Sequence, residues 1–234
     1  MEPTIVAIGG GSLSESRAEQ QIEEYILRLT GADDPRICFI GTASGDTPAN
    51  IVRFYSVFSS DRCRPSHLTL IDRKVTDLRE FLFSQDAIYV GGGNTGALLA
   101  IWRQHGLDAV LREAWERGIV LCGSSAGANC WHEASTTDSF GPKLEPLLDG
   151  LGFIQGSFCP HFDVEAQRRP LYRGLVAEGA LPDGTACDNC VAVRYEGTRV
   201  AEFIASKPEA RAWRMERTPD GYRETEIVPR YLDG

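Results

Sequence analysis

Ser125 lies in the stretch Ile119-Val120-Leu121-Cys122-Gly123-Ser124-Ser125-Ala126-Gly127-Ala128-Asn129. An apolar run short enough for a buried strand stops at Gly123, and a helix-compatible segment starts just past Ser125. The core reads Gly-x-Ser-x-Gly, the nucleophile elbow, in which a sharp strand-to-helix turn lifts a serine above the end of a sheet. Such a turn strains the backbone, and a Cβ at Gly123 or Gly127 would crowd it. A serine there can attack a carbonyl, because free amides and the helix dipole favour the negative charge that develops. The chemistry this predicts is acyl transfer.

A serine nucleophile needs a base within hydrogen-bond reach, and four histidines are available. His67 begins a predicted strand well upstream and has no chemical neighbour in sequence. His105 precedes Gly106 at a helix end, where it suits the C-terminal carbonyls. His132 follows Ser125 on what reads as the helix leaving the elbow. At 1.5 Å per residue it would sit about 10 Å along the axis, too far to take the proton. That leaves His161, in Phe158-Cys159-Pro160-His161-Phe162-Asp163, on a predicted loop between strand and helix. A third group should orient the imidazole, and Asp138, Asp163 and Asp188 are the candidates. Asp138 equally suits a loop-fixing role, and the residues alone do not rank Asp163 against Asp188. The oxyanion hole needs two convergent amides. Ala126 follows the nucleophile, and Gly93 lies in Gly91-Gly92-Gly93-Asn94-Thr95, between a strand and a helix.

The elements that would hold these residues alternate over the first 160 positions, which predicts βαβ units around a mainly parallel sheet. Predicted strands cover 4–8, 36–40, 67–71, 86–90 and the elbow strand. Predicted helices cover 16–29, 49–59, 75–83, 96–104 and 107–116. After about residue 150 short strands are expected at 153–156, 185–187, 191–195, 200–204 and 211–215, with one helix near 164–178. No repeat or linker-like tract divides the chain, so 1–234 reads as a single domain.

Composition sets the outer limits. A chain that is 42% hydrophobic and 24% charged can bury a sizeable core. Its net charge of -9 argues against nucleic acid or an anionic membrane as partner. No apolar run nears a membrane span and no leader-like segment opens the chain, so a cytoplasmic location is expected. Of the seven cysteines, Cys38 and Cys122 fall in strand-like runs and read as small buried hydrophobes. Cys187-Asp188-Asn189-Cys190 has metal or redox spacing but no second such pair, so neither metal nor cofactor is expected. Gly9-Gly10-Gly11-Ser12-Leu13-Ser14 lacks the third glycine of a dinucleotide loop.

Gly92-Gly93-Asn94-Thr95, the elbow block Gly123 to Asn129, Pro160-His161-Phe162 and Phe39-Ile40-Gly41-Thr42-Ala43-Ser44 together resemble the peptidase E family of serine peptidases, the alpha-aspartyl dipeptidases, with cyanophycinases as cousins. The resemblance runs from the first strand to about residue 200. It implies a three-layer α/β fold similar to class I glutamine amidotransferases. It also implies Ser125 as nucleophile, His161 as base, and the Gly93 and Ala126 amides as oxyanion hole. The family's acidic triad member, a glutamate, corresponds to Asp188 here. Where the dipeptidases carry an arginine that binds the substrate's aspartate, this chain has Glu165, with Arg168 or Arg169 as substitutes. A carboxylate at that place would repel aspartate, so strict specificity for N-terminal aspartate is not expected. Asn94, Glu165 and Arg168 are the substrate-binding candidates. The expected function is a serine peptidase of dipeptidase or exopeptidase type, acting on short peptides through an acyl-enzyme. The alternatives are a cyanophycinase-like hydrolase, an esterase, or a silent relative that binds a peptide or metabolite. The expected partners are short peptides and, at most, a second copy in a homodimer.

Overall fold

A computed structural model describes residues 2–14 and 16–233. The N-terminal half follows the predicted alternation: β1 (Thr4–Ile8), α1 (Gln21–Leu29), β2 (Arg36–Ile40), α2 (Pro48–Val57), β3 (Arg64–Leu68), α3 (Leu78–Phe83), β4 (Ala87–Val90), α4 (Thr95–His105), α5 (Leu107–Glu116) and β5 (Val120–Ser124). Strands β1, β5, β4, β2 and β3 pair in that order, all parallel.

Apart from the edge strand β3, these strands are buried on both faces, and period-2 alternation divides their side chains between two cores. Val6, Ile8, Phe39, Tyr89 and Cys122 meet α1 and α2 through Ile22, Ile26, Phe54 and Phe58. Ile5, Ala7, Cys38, Ile40, Ile88, Val90 and Leu121 meet α4 and α5 through Leu98, Trp102 and Leu111. Helices thus cover both faces of a mainly parallel sheet, as expected. In α5 the buried residues Leu107, Val110, Leu111, Ala114 and Trp115 recur at helical spacing, which is why its predicted and observed limits coincide.

After the elbow the chain departs from the simple pattern. The helix leaving Ser125, α6 (Ala126–Asn129), lasts four residues. The chain then turns into β6 (His132–Thr137), β7 (Glu145–Leu147), β8 (Ile154–Cys159), α7 (Arg168–Glu178) and β9 (Gly184–Cys187). The remaining strands are β10 (Val191–Glu196), β11 (Arg199–Ala205), β12 (Ala212–Thr218), β13 (Gly221–Ile227) and β14 (Arg230–Tyr231). β10, β11 and β14 extend the first sheet beyond β1 to eight strands, while β13-β12-β9-β8-β6-β7 form a second, six-stranded sheet. Against that sheet α7 packs Tyr172 and Val176 onto Phe162, Trp213 and Met215. The expected strands at 153–156, 185–187 and 211–215 are β8, β9 and β12 of this second sheet, and β6, β7 and β13 are strands of it beyond the expected set. No described helix is long and apolar enough to cross a membrane.

Candidate active site

Ser125 caps the end of β5 with φ 56° and ψ −112°, a conformation costly for a residue with a Cβ and held only by its surroundings. Its amide donates to the Ile8 carbonyl at 3.0 Å, and the Ala128 and Asn129 amides donate to its carbonyl, each at 2.9 Å. The flanking glycines are required by close approach. A Cβ on Gly123 would lie 2.4 Å from the Gly127 oxygen, and one on Gly127 would lie 2.2 Å from the Val90 oxygen. The turn can therefore sit tight against the end of β4, half-exposing the serine.

His161 follows β8 in a loop, also left-handed, with φ 53°. Its Nε2 stands 2.8 Å from Ser125 Oγ and its Nδ1 stands 2.8 Å from Asn189 Oδ1. With Ser125 as donor to Nε2, the Nδ1 position carries the proton and donates to the amide oxygen. The result is a continuous Ser125–His161–Asn189 chain of hydrogen bonds, contributed by β5 of the first sheet and by loops after β8 and β9 of the second.

The partner of His161 corrects the expected Asp188. Asp188 Oδ2 accepts instead from the Arg211 amide at 2.9 Å, which joins the β9 end to the start of β12. The side chain is buried, and burial together with the nearby Asp163 carboxylate pushes its carboxyl up to about 6. Asp163, the other acidic candidate, accepts the Asn189 amide at 2.9 Å and so fixes the loop that presents Asn189. Sequence reasoning missed Asn189 because it restricted the third position to acids. An amide oxygen can accept from Nδ1–H and fix the tautomer equally well in geometry, as the Cys-His-Asn arrangement of other peptidases illustrates.

The glycine triplet after β1 lies beneath this pair. The Gly9 carbonyl accepts the His161 amide at 2.9 Å and the Gly10 carbonyl accepts the Cys190 amide at 2.8 Å. Gly10 has φ +146°, and a Cβ there would come within 2.1 Å of Asn189 Oδ1 and 2.4 Å of His161 Nδ1. The glycines thus make room for the imidazole–amide contact. Burial pushes the thiols of Cys187 and Cys190 up, away from thiolate reactivity.

His132 is not on the elbow helix. It opens β6, buried, with Nδ1 2.9 Å from the Ala128 carbonyl and Nε2 3.0 Å from Tyr195 OH. His67 meets Tyr55 OH at 2.8 Å, and His105 ends α4 before the left-handed Gly106.

Gly92 lies beside Ser125: its Cβ position would be 3.4 Å from the serine Cβ and 4.0 Å from Oγ. Gly93, with φ +137°, is packed so closely on Ala43 that a Cβ would lie 2.2 Å from its oxygen. Among the described residues, neither the Gly93 nor the Ala126 amide donates to a backbone carbonyl. Asn94 is occupied at both ends, its Oδ1 capping α4 at Ala97 N (2.7 Å) and its Nδ2 donating to the Ser139 carbonyl (3.0 Å). Glu165 is not a bare carboxylate, since Arg168 Nε donates to it at 2.8 Å. Arg168 is itself buried and also reaches the Thr136 carbonyl and hydroxyl at 3.3 and 3.2 Å. Arg169 pairs with Glu224 and lies 4.9 Å over the Trp213 ring.

A strained serine hydrogen-bonded to an imidazole above the carboxyl end of a parallel sheet defines a serine-type hydrolase. The chain belongs to peptidase family S51, whose model matches residues 5–203, and it is a serine-type peptidase. It is 43% identical to the uncharacterized peptidase YgaJ of Bacillus subtilis (strain 168) over 228 residues, 97% of this chain and 98% of that one. Peptidase E of Pasteurella multocida (strain Pm70) is 31% identical over 121 residues, 46% of this chain and 52% of the relative. Among solved structures, a peptidase from an acI-B1 Actinobacterium shares the fold with a TM-score of 0.69 and 18% identity, over 98% of this chain and 95% of that one.

Proposed function

We propose that the chain hydrolyses short peptides at a free end, through an acyl-enzyme on Ser125, with His161 as base and Asn189 as the group that orients it. The observation that carries this reading is the unbroken relay at 2.8 and 2.8 Å from Ser125 Oγ through His161 to Asn189 Oδ1. Its members rest on strained backbone at Ser125 and His161, and such strain persists only where the surroundings over-determine it. His161 Nε2 takes the hydroxyl proton as Oγ bonds to the scissile carbonyl carbon. It then returns that proton to the departing amine. A water deprotonated by the same nitrogen releases the acid and restores the hydroxyl.

The oxyanion is assigned to the Gly93 and Ala126 amides, an assignment supported by Gly92 lying against Ser125 and by the helix-opening position of Ala126. Asn189 cannot neutralise an imidazolium as a carboxylate does, so its contribution is tautomer and orientation. Residues 1–234 act as one catalytic domain, since both sheets supply members of the relay. The names of the relatives, a peptidase and a peptidase E, support peptides over esters as substrates. Turnover of a dipeptide panel, with Ser125→Ala as control, tests the reading. Equal rates for the two proteins would overturn it.

A further inference from the structure

Two clefts meet beside the relay, and one cation lines both. The larger, about 630 Å³, is lined by Asp163, Asp188 and Asn189, by the Gly11–Leu13 segment, and by Arg53 and Lys207. The smaller, about 240 Å³, is lined by the same Gly11–Leu13 segment, by Gly91, Gly92 and Ser124, and by Asn50 and Arg53. Arg53 thus lines both the cleft that holds Asn189 and the one that holds Ser124, the residue before the nucleophile. Asn50 and Arg53 are three residues apart on α2 and share its cleft-facing side.

Arg53 differs from the other arginines near the site. Arg168 is held by Glu165 and Thr136, and Arg169 by Glu224. Arg53 is exposed, and among the described residues its guanidinium has no acidic or hydrogen-bonding partner. A guanidinium offers paired donors matched to a carboxylate, and Asn50 adds a neutral donor beside it. The carboxylates of the larger cleft, Asp163, Asp188, Glu19 and Glu209, disfavour an anion among them, whereas the smaller cleft has Arg53 and, among the described residues, no carboxylate in its lining, and is the place for one.

We propose that Arg53, assisted by Asn50, binds a carboxylate of the substrate and so determines which peptides Ser125 receives. The carboxylate is either the free C-terminus of a short peptide or an acidic side chain, and the two sources share this chemistry. The inference rests on the proposed peptidase reading of the site. It also supplies a cation that Glu165, Arg168 and Arg169 do not.

The test measures binding by calorimetry in the Ser125→Ala background, with and without Arg53→Ala, for Ala-Leu, Asp-Leu-amide and Ala-Leu-amide. Arg53→Ala is expected to raise Kd about 10- to 100-fold for a peptide carrying the recognised carboxylate and to leave Ala-Leu-amide within about threefold. A loss on Ala-Leu assigns the C-terminal carboxylate, a loss on Asp-Leu-amide assigns the side chain, and Arg53→Lys should recover part of either. Equal losses on all three peptides, no loss on any, or the same effect from Lys207→Ala overturn the proposal. Failure of the peptidase reading is seen separately, as hydrolysis that persists in Ser125→Ala.

Discussion

Asn189 Oδ1 stands 2.8 Å from His161 Nδ1, while the preceding residue, Asp188, turns its carboxylate to the Arg211 amide. Both residues follow β9 in a turn that the Val191 amide closes on the Asp188 carbonyl at 3.3 Å, and this turn presents an amide to the imidazole and buries an acid behind it. Asn189→Ala should therefore lower kcat by about 100-fold or more, while Asp188→Asn should lower it less than tenfold. Steady-state kinetics on one dipeptide compares the two, and the reverse ranking would show that the observed pairing does not govern turnover.

Asp188 should reveal itself in stability. Its folded-state pKa is raised from 3.8 to about 6 by burial. A raised carboxyl contributes stability that is complete below pH about 4 and is lost as pH rises through 6. Asp188→Asn keeps an oxygen for the Arg211 amide and removes the charge. Its Tm should exceed the wild-type value at pH 7.5, with the gain shrinking to nothing below pH 4. A gain that stays constant across that range would count against a titrating Asp188.

Ser125→Ala should cut kcat/KM by about 10⁴- to 10⁶-fold and leave the fold intact. Thermal melting and turnover measured together separate the two effects. More than a tenth of wild-type activity in the variant would remove Ser125 as the nucleophile.

Gly10→Ala places a methyl 2.1 Å from Asn189 Oδ1 and 2.4 Å from His161 Nδ1. The His161–Asn189 contact must open, and φ +146° adds strain of about 1–3 kcal/mol. Activity should fall by at least about 100-fold, since an ångström of displacement at reacting groups has that effect. Near-normal kcat would mean that the contact is dispensable.

His132 should matter to acid stability and not to chemistry. Burial pushes it down to about 4, so its stability contribution is present above pH 6.5 and is lost as pH falls through 4. It stacks on Phe158 at 4.7 Å and bonds Ala128 and Tyr195. His132→Ala should then destabilise by about 2–4 kcal/mol at neutral pH, less at pH 4, with kcat near normal wherever the variant is folded. Loss of kcat in the folded variant would reinstate His132 as a catalytic group.

The chain order of residues determined what depends on short-range patterns. Short continuous apolar runs placed β1, β2 and β4, helical spacing placed α5, and the Gly123–Gly127 spacing placed the elbow, because each is dictated within a few residues by backbone geometry. His161 emerged by elimination, although one step of that elimination put His132 on a helix that ends at Asn129. Only the tertiary structure decided the rest. The second sheet joins strands from residues 132 to 227, a long-range pairing that no local pattern specifies. The choice between Asp188 and Asn189 turns on a one-residue difference in direction, fixed by the Arg211 amide on β12's approach and by the Asp163 carboxylate beside the loop. The role of Gly10, as room for an imidazole 151 positions later in the chain, likewise exists only once β1 and the loop after β8 lie side by side.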